Sequence, residues 1–405
     1  MLNWKKEKLV NVADIKMSNV DKKTHEDETP IQLCNYTDVY KNSYINRDKS
    51  LNFMFASCKQ NEYDKFVLKK GQVAITKDSE KANDIGIPTY ISESLGNVLL
   101  GYHLSLITPF EKKLDGKFLR YWLDTKQSRT YFENNASGSG QRYFLALETI
   151  KDIPLFLPEL NEQQKISNLL FNLDSKIEIN NKINKELEAM EKTLYDYWFV
   201  QFDFPNENGK PYKSSGGKMI YSKEFKRDIP EGWVVKKLGD YAEIKRGDLI
   251  TARETLEGKI KVVAAGINYS YLHSKSNREE NTITISGSGA NAGHINFWRE
   301  PIFASDCTTV RGKNDIDTIM ILNHLYLLQD YIYSQSKGSA QPHVYPEDIK
   351  QLFIPVAPDY LVNKFCAIVL PSNKRIAINE QQNQELAKLR DWLLPMLMNA
   401  QVKIM

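Results

Sequence analysis

The sequence predicts a mixed α/β (α+β) fold. It has two similar globular domains separated by two long helices packed as an antiparallel coiled coil, with an internal pseudo-two-fold repeat. Three observations carry this reading. Segments of the first half recur in the second. Each half ends in a long apolar heptad run. And 405 residues are too many for one ordinary core.

The repeat frames both halves. WKKEKLVNVADI (4–15) pairs with WVVKKLGDYAEI (233–244): Trp4 meets Trp233, Leu9 meets Leu238 and Ile15 meets Ile244. SGSGQRYF (137–144) pairs with KGSAQPHV (337–344), matching Gly138 to Gly338, Gln141 to Gln341 and Arg142 to Pro342. ETIKDIPLFLP and EDIKQLFIPVAP follow, each a short amphipathic turn and a proline-closed strand. The middles of the bodies differ, as FVLKKGQVAITKDSEKANDIG and NTITISGSGANAGHINFW illustrate. Matching frames around unlike bodies suggest one scaffold presenting two surfaces.

The helices come next. Ile166, Leu169, Leu173, Ile183, Leu187, Met190, Leu194 and Tyr197 step by threes and fours, and no Gly or Pro lies between Glu159 and Val200. About 40 helical residues at about 1.5 Å each would span roughly 60 Å, so the helix should project from its domain. IEINNKINKEL (177–187) matches IAINEQQNQEL (376–386), with Asn180 and Asn379 at equivalent seam positions. Ile183, Leu187, Met190, Leu194 and Tyr197 should meet Leu386, Leu389 and Leu393. Pro371 should interrupt the second helix near its start. The resulting boundaries are a first domain at 1–158, a helix at 159–200, a linker at 201–229, a second domain at 230–358 and a helix at 359–405. The linker reading rests on its Gly, Pro, Ser, Asn and Lys.

Bulk chemistry narrows the function. Lys plus Arg number 54 against 51 Asp plus Glu, so any nucleic-acid contact must come from local patches. The four cysteines are scattered without metal-ligand spacing, which reads as reduced thiols and no metal site. No apolar run suits a signal peptide or a membrane span, so a cytoplasmic location with no membrane contact is expected.

Catalytic patterns fail on inspection. ISGSGANAG (285–293) fits G-x-G-x-x-A, but HINFW after it has strand character where a dinucleotide site needs a helix. Asp248 with Glu257-Gly258-Lys259 imitates a nuclease site of a kind that arises by chance in a chain with 26% charged residues. There is no P-loop, no nucleophile elbow and no N-P-P-[YF] tetrad. The loops instead carry DNA-reading side chains: Gln, Asn and Arg for base edges, Lys and Ser for phosphates.

LNEQQKISNLLFNLDSKIEINNKINKELEAMEKTLYDYWFVQFDFP, the P-E-G-W start at Pro230–Trp233 with KKLGD, TITISGSGANAG and GSAQPHVYPEDIKQLFIPVAP together resemble the specificity subunits of Type I restriction–modification systems (the HsdS family). The resemblance covers essentially the whole chain. It implies a non-catalytic subunit whose two target-recognition domains read a split, asymmetric sequence in double-stranded DNA. It implies that the helices set the half-site spacing and dock two modification (methyltransferase) subunits, joined by restriction (motor and nuclease) subunits. S-adenosylmethionine, ATP and Mg would belong to those partners, with no cofactor on this chain. A DNA-binding regulator or scaffold working without a methyltransferase is the alternative.

By position, the candidate DNA contacts are Lys77, Ser137, Gly138, Ser139, Gln141 and Arg142 in the first half. In the second they are Ser286, Ser288, Asn291, His294, Lys337, Gly338, Ser339, Gln341 and His343. Gln141, Arg142, Asn291 and Gln341 suit base edges, and Lys77 and Lys337 suit phosphates.

Overall fold

A computed structural model describes residues 4–140, 142–336 and 342–404. Contacts divide the chain into two units, one of Met1–Ile179 with Gln382–Met405, the other of Asn180–Gln381. Each unit therefore holds one globular body and part of each long helix.

In the first unit the central sheet runs Ala13–Met17, Leu104–Pro109, Val73–Thr76, Pro88–Ile91 and Tyr44–Ile45 in spatial order. Val73–Thr76 and Pro88–Ile91 are buried throughout and read as apolar runs, while the edge strand Ala13–Met17 alternates buried and exposed residues. Leu9, Ile107, Phe118, Trp122 and Leu155 form its core. Each such side chain contributes about 1.5–3 kcal/mol by leaving water. The second unit repeats the plan with Glu243–Arg246, Cys307–Arg311, Thr282–Ser286 and Ile295–Trp298.

The unlike middles also share a topology. In the first unit Thr29–Cys34 pairs antiparallel with Met54–Cys58 and parallel with Leu95–Leu100. In the second, Ile260–Val263 pairs antiparallel with Tyr271–His273 and parallel with Ile302–Ala304. Main-chain pairing needs no particular side chain, so the repeat persists where the sequences do not match.

Matching capping residues start the helix after the central sheet in each unit. Asp115 accepts from the Phe118 N–H at 2.8 Å before Gly116–Leu123, and Asn314 accepts from the Asp317 N–H at 2.9 Å before Asp315–Leu327. The frame strands close each body in the same register: Lys8 faces Pro154, and Lys237 faces Phe353. Trp122 donates its indole N–H to the Pro154 carbonyl at 3.3 Å, and the His324 Nε2–H reaches the equivalent Phe353 carbonyl at 2.8 Å.

The first long helix, Leu160–Tyr195, ends in a π-helical turn at Asp196–Val200. The second is continuous over Asp359–Met398. This corrects the expected break at Pro371 and the expected end at 405. Pro371 is exposed, and so is Ala367, whose carbonyl loses its partner and can turn to solvent. Ala400, in a left-handed conformation, lies just beyond the helix end.

Within each unit the helix portions run antiparallel. Asp174 binds Arg390 at 2.7 Å in the first. In the second, Asn379 donates to Asn184 at 2.7 Å, Asn373 donates to Glu191 at 2.6 Å, and Tyr195 meets Phe365 edge-on. The buried line on the first helix is thus Asp174, Asn180, Asn184, Glu191 and Tyr195. Asn180 and Asn379, expected at the seam, are fully buried, while Asp174, Asn184, Glu191 and Tyr195 lie one position away from the apolar series expected to form the contact. Met190 is 62% exposed, Leu389 44% and Tyr197 37%, so these three lie on the outer face. Ile183, Leu187, Leu194, Leu386 and Leu393 are half-buried. Polar groups can hold the seam because their partners are supplied. Asn323 and Asn373 both donate to Glu191, whose carboxyl burial nonetheless pushes upward.

The expected linker is also corrected. Phe202 and Phe204 are buried and pack around Trp233 with ring centroids at 5.3 and 5.8 Å, and Tyr212 stacks on Phe204 at 4.6 Å. Met219–Ser222 and Arg227–Pro230 form a hairpin. The Gly, Pro and Lys composition hid three aromatic side chains, Phe202, Phe204 and Tyr212, that fold this stretch onto Trp233 of the second unit.

Candidate nucleic-acid interface

The residues that follow the glycine-serine stretch of each unit dock on the same piece of backbone. In the first unit Ser137–Ser139 and Arg142–Phe144 form a hairpin, whose second strand pairs with Asp78–Ser79. The Leu145 N–H then bonds the Lys77 carbonyl at 2.8 Å. In the second unit His343 bridges Ser288, and the Val344 N–H bonds the Gly287 carbonyl at 3.0 Å. A further match ties in a third loop: Lys77 N–H to the His103 carbonyl at 3.1 Å, Gly287 N–H to the Asp306 carbonyl at 3.2 Å.

These bonds correct the alignment of the loops by one residue. Phe144 stands where His343 stands, and Tyr143 where Pro342 stands. Arg142 is therefore not the counterpart of Pro342. By sequence count it corresponds to Gln341.

In the first unit the hairpin needs glycine at one point. Gly138 has φ +133°, and a Cβ there would lie 2.2 Å from the Arg142 carbonyl oxygen. Ser137 and Arg142 are exposed. Arg142 reaches Asp78 at 3.4 Å, and the His103 Nδ1 lies 2.7 Å from the same carboxylate. A contact that short to a carboxylate needs the proton on Nδ1, so the donor-only guanidinium of Arg142 is held by Asp78. Lys77 is half-buried and donates to the Ser18 carbonyl at 3.1 Å; burial lowers its ammonium pKa, and Asp78 opposes that. Beside the hairpin opens a cavity of about 530 Å³ lined by Tyr36, Tyr40, Asp78, Ser79, Glu80, Asp84, His103 and Arg142.

In the second unit Ser288 donates its hydroxyl to Asp306, and Arg246 stands 3.9 Å from that carboxylate. His294 meets the Tyr333 hydroxyl at 2.8 Å, and exposed His343 stacks on Tyr345 at 5.8 Å. Asn291 ends a single 3-10 turn, Gly289–Asn291. Ser286 does not fit the expectation. It ends a core strand, is 3% exposed, and spends its hydroxyl on the Gly266 carbonyl. Gln141, Lys337, Gly338, Ser339 and Gln341 lie outside the described residues, and Ser139 is described only through its backbone pairing.

Sequence reasoning therefore brought Lys77, Gly138 and Arg142 together, and likewise Ser288 and His343. It missed Asp78, His103 and Asp306, which arrive from loops far away in sequence. Two strands at equivalent places in the repeat, Leu95–Leu100 and Ile302–Ala304, lead into the His103 and Asp306 loops. Only the repeat's strand order could have revealed their equivalence.

The helix portions of the second unit add an apolar groove of about 530 Å³. Leu187, Met190, Leu194 and Tyr197 line one side, and Ile368 and Val369 the other. Among the described residues no helix is long and apolar enough to cross a membrane.

Comparison with known proteins agrees with this layout. Residues 1–189 and 230–388 match the model of the Type I restriction modification DNA specificity domain. The Type I restriction enzyme MjaIX specificity subunit of Methanocaldococcus jannaschii is 26% identical over 317 residues, covering 71% of this chain and 69% of that protein. The HindI specificity subunit of Haemophilus influenzae is 30% identical over 167 residues, 40% of this chain and 36% of the relative. The crystal structure of a Type I restriction–modification S subunit from M. genitalium shares the fold, with a TM-score of 0.59 at 21% identity, covering 98% and 96% of the two chains.

Proposed function

The chain belongs to the Type I restriction–modification DNA specificity family, and on that premise we propose that each of its units reads one half of a bipartite, asymmetric target in double-stranded DNA. It is a specificity subunit, so its work is recognition, with the chemistry left to partners. The observation that carries the bipartite reading is the pair of docked loops. The Leu145–Lys77 and Val344–Gly287 bonds match, while the side chains around them do not. Equal frames suit two equal approaches to one duplex, and unequal side chains suit unequal half-sites about one helical turn, roughly 34 Å, or more apart.

Ser137, Arg142, Asn291, His294 and His343 offer the donors and acceptors that base edges and phosphates take. Lys77 suits a phosphate once it leaves the Ser18 carbonyl. The helices would set the half-site spacing. The apolar groove along Leu187–Tyr197 suits a helix of a modification subunit, because an open groove of this kind buries its lining only when covered. S-adenosylmethionine, ATP and Mg would be bound by the modification and restriction subunits, and the complex would work in the cytoplasm.

Genome-wide mapping of adenine methylation tests this reading, in cells with the chain and its modification subunit and in cells lacking the chain. A split motif with unlike halves, present only with the chain, is expected. No new motif from a soluble, associated pair of proteins would overturn it and favour a DNA-binding regulator.

A further inference from the structure

The loops after the third core strand and before the Leu104–Pro109 or Cys307–Arg311 strand face each other in both units. Their backbone bonds make Asp78 equivalent to Ser288, and His103 equivalent to Asp306. In each unit a side-chain bond joins the two loops at these positions. It is Asp78 with His103 in the first unit and Ser288 with Asp306 in the second. The carboxylate has changed sides between the units.

Its company has changed too. Asp78 is covered by His103 at 2.7 Å and by Arg142 at 3.4 Å. Among the described residues, Asp306 has the Ser288 hydroxyl close by, with Arg246 at 3.9 Å and 59% exposed. The Asp306 side chain is 30% exposed, and a carboxylate has acceptor sites for about four hydrogen bonds. An acceptor-only group costs affinity next to a polyanion unless a base donates to it. In the major groove cytosine N4 and adenine N6 are the donors, while guanine O6 and thymine O4 occupy the same places as acceptors.

We propose that Asp306 is a specificity-determining residue of the second unit. It accepts a hydrogen bond from an exocyclic amine, cytosine N4 or adenine N6, and repels guanine O6 and thymine O4 at one position of the second half-site. The Asp78–His103 pair holds the equivalent place in the first unit as positioning residues. They aim Arg142, whose remaining N–H groups suit the acceptor edge of guanine. The inference rests on the specificity-subunit reading above.

Methylation mapping of the full chain with its modification subunit tests it through Asp306→Asn. The amide keeps the shape and still accepts from Ser288, but its N–H₂ donates to keto bases. One second-half position should then admit guanine or thymine, with discrimination there falling at least about tenfold. Every first-half position should keep its wild-type preference. Asp306→Ala should relax the same position, with an unchanged melting temperature of the Asn variant as the check on folding. A folded variant that keeps the wild-type motif, or loses methylation equally at all sites, overturns the assignment. Absence of any split motif with the wild-type chain is a separate failure. It removes the specificity reading itself, and this inference with it.

Discussion

The two units solve the same structural problems with different side chains. One carbonyl of the frame strand is capped by Trp122 in the first unit and by His324 in the second. Where the helices meet, the first unit uses an Asp174–Arg390 ion pair with Arg120 and Tyr121 beside it. The second uses Glu191 between two asparagines, Asn323 and Asn373. At the loops, Asp78 with His103 in the first unit corresponds to Ser288 with Asp306 in the second. The backbone is therefore the conserved instruction inside this chain, and the side chains at matched points were free to diverge.

The strongest way to break the comparison is at the helices. Asp174 is 6% exposed and satisfies Tyr121, Arg120 and Arg390 together. Asp174→Ala removes the carboxylate these three groups share, while Asp124 and Asp391 stay beside the two guanidinium groups, and should destabilise the first unit by about 1.5–3 kcal/mol in urea denaturation. The second unit's transition should stay where it was.

Next comes pH. Burial lowers His324 to about 4, against the hydrogen bond to Phe353 that raises it. Its folded pKa lies below the unfolded value of about 6.5, so its stability is present above about 6.5 and lost as pH falls towards 4. The full loss is roughly 3 kcal/mol. His324→Gln keeps a donor for the carbonyl and should flatten this acid slope in melting measured from pH 7 to 4. The Trp122 position of the first unit should contribute no such slope.

A smaller effect sharpens the contrast at the loops. Gly138→Ala forces a Cβ against the Arg142 carbonyl at a positive φ, a local strain of about 1–3 kcal/mol. Global melting should shift little, because the hairpin is exposed, while methylation selectivity falls in one half-site. The smallest effect is expected from Lys77→Ala. DNA binding should weaken by about 1 kcal/mol across all sequences, and the salt dependence should lose a slope of about 1.

Much of the layout was legible because the frame segments carry obligatory side chains. Leu9 and Leu238 are fully buried at the same turn, with Ile15 and Ile244 on the matching strands, so they had to match in sequence. The strand order of the middles was not legible, since parallel and antiparallel ladders accept many residues. The helix seam misled because apolar periodicity presumes an apolar contact, whereas Asn184 and Glu191 are buried with partners from elsewhere in the fold. The site was half legible. Gly138 and Arg142 announce a loop, but His103 and Asp306 look ordinary until the backbone brings their loops to it. The one-residue slip at Arg142 has the same origin: similar letters aligned at Gln141, while the hydrogen bonds aligned at Phe144.

Independent reading by the two equal frames is tested most directly by equilibrium binding of the complete complex to duplexes with either half of the methylated motif scrambled, comparing the wild-type chain with Gly138→Ala. The variant should lose discrimination for one half only and keep the other in full. Equal loss for both halves would mean that the units do not read separately, and would contradict it.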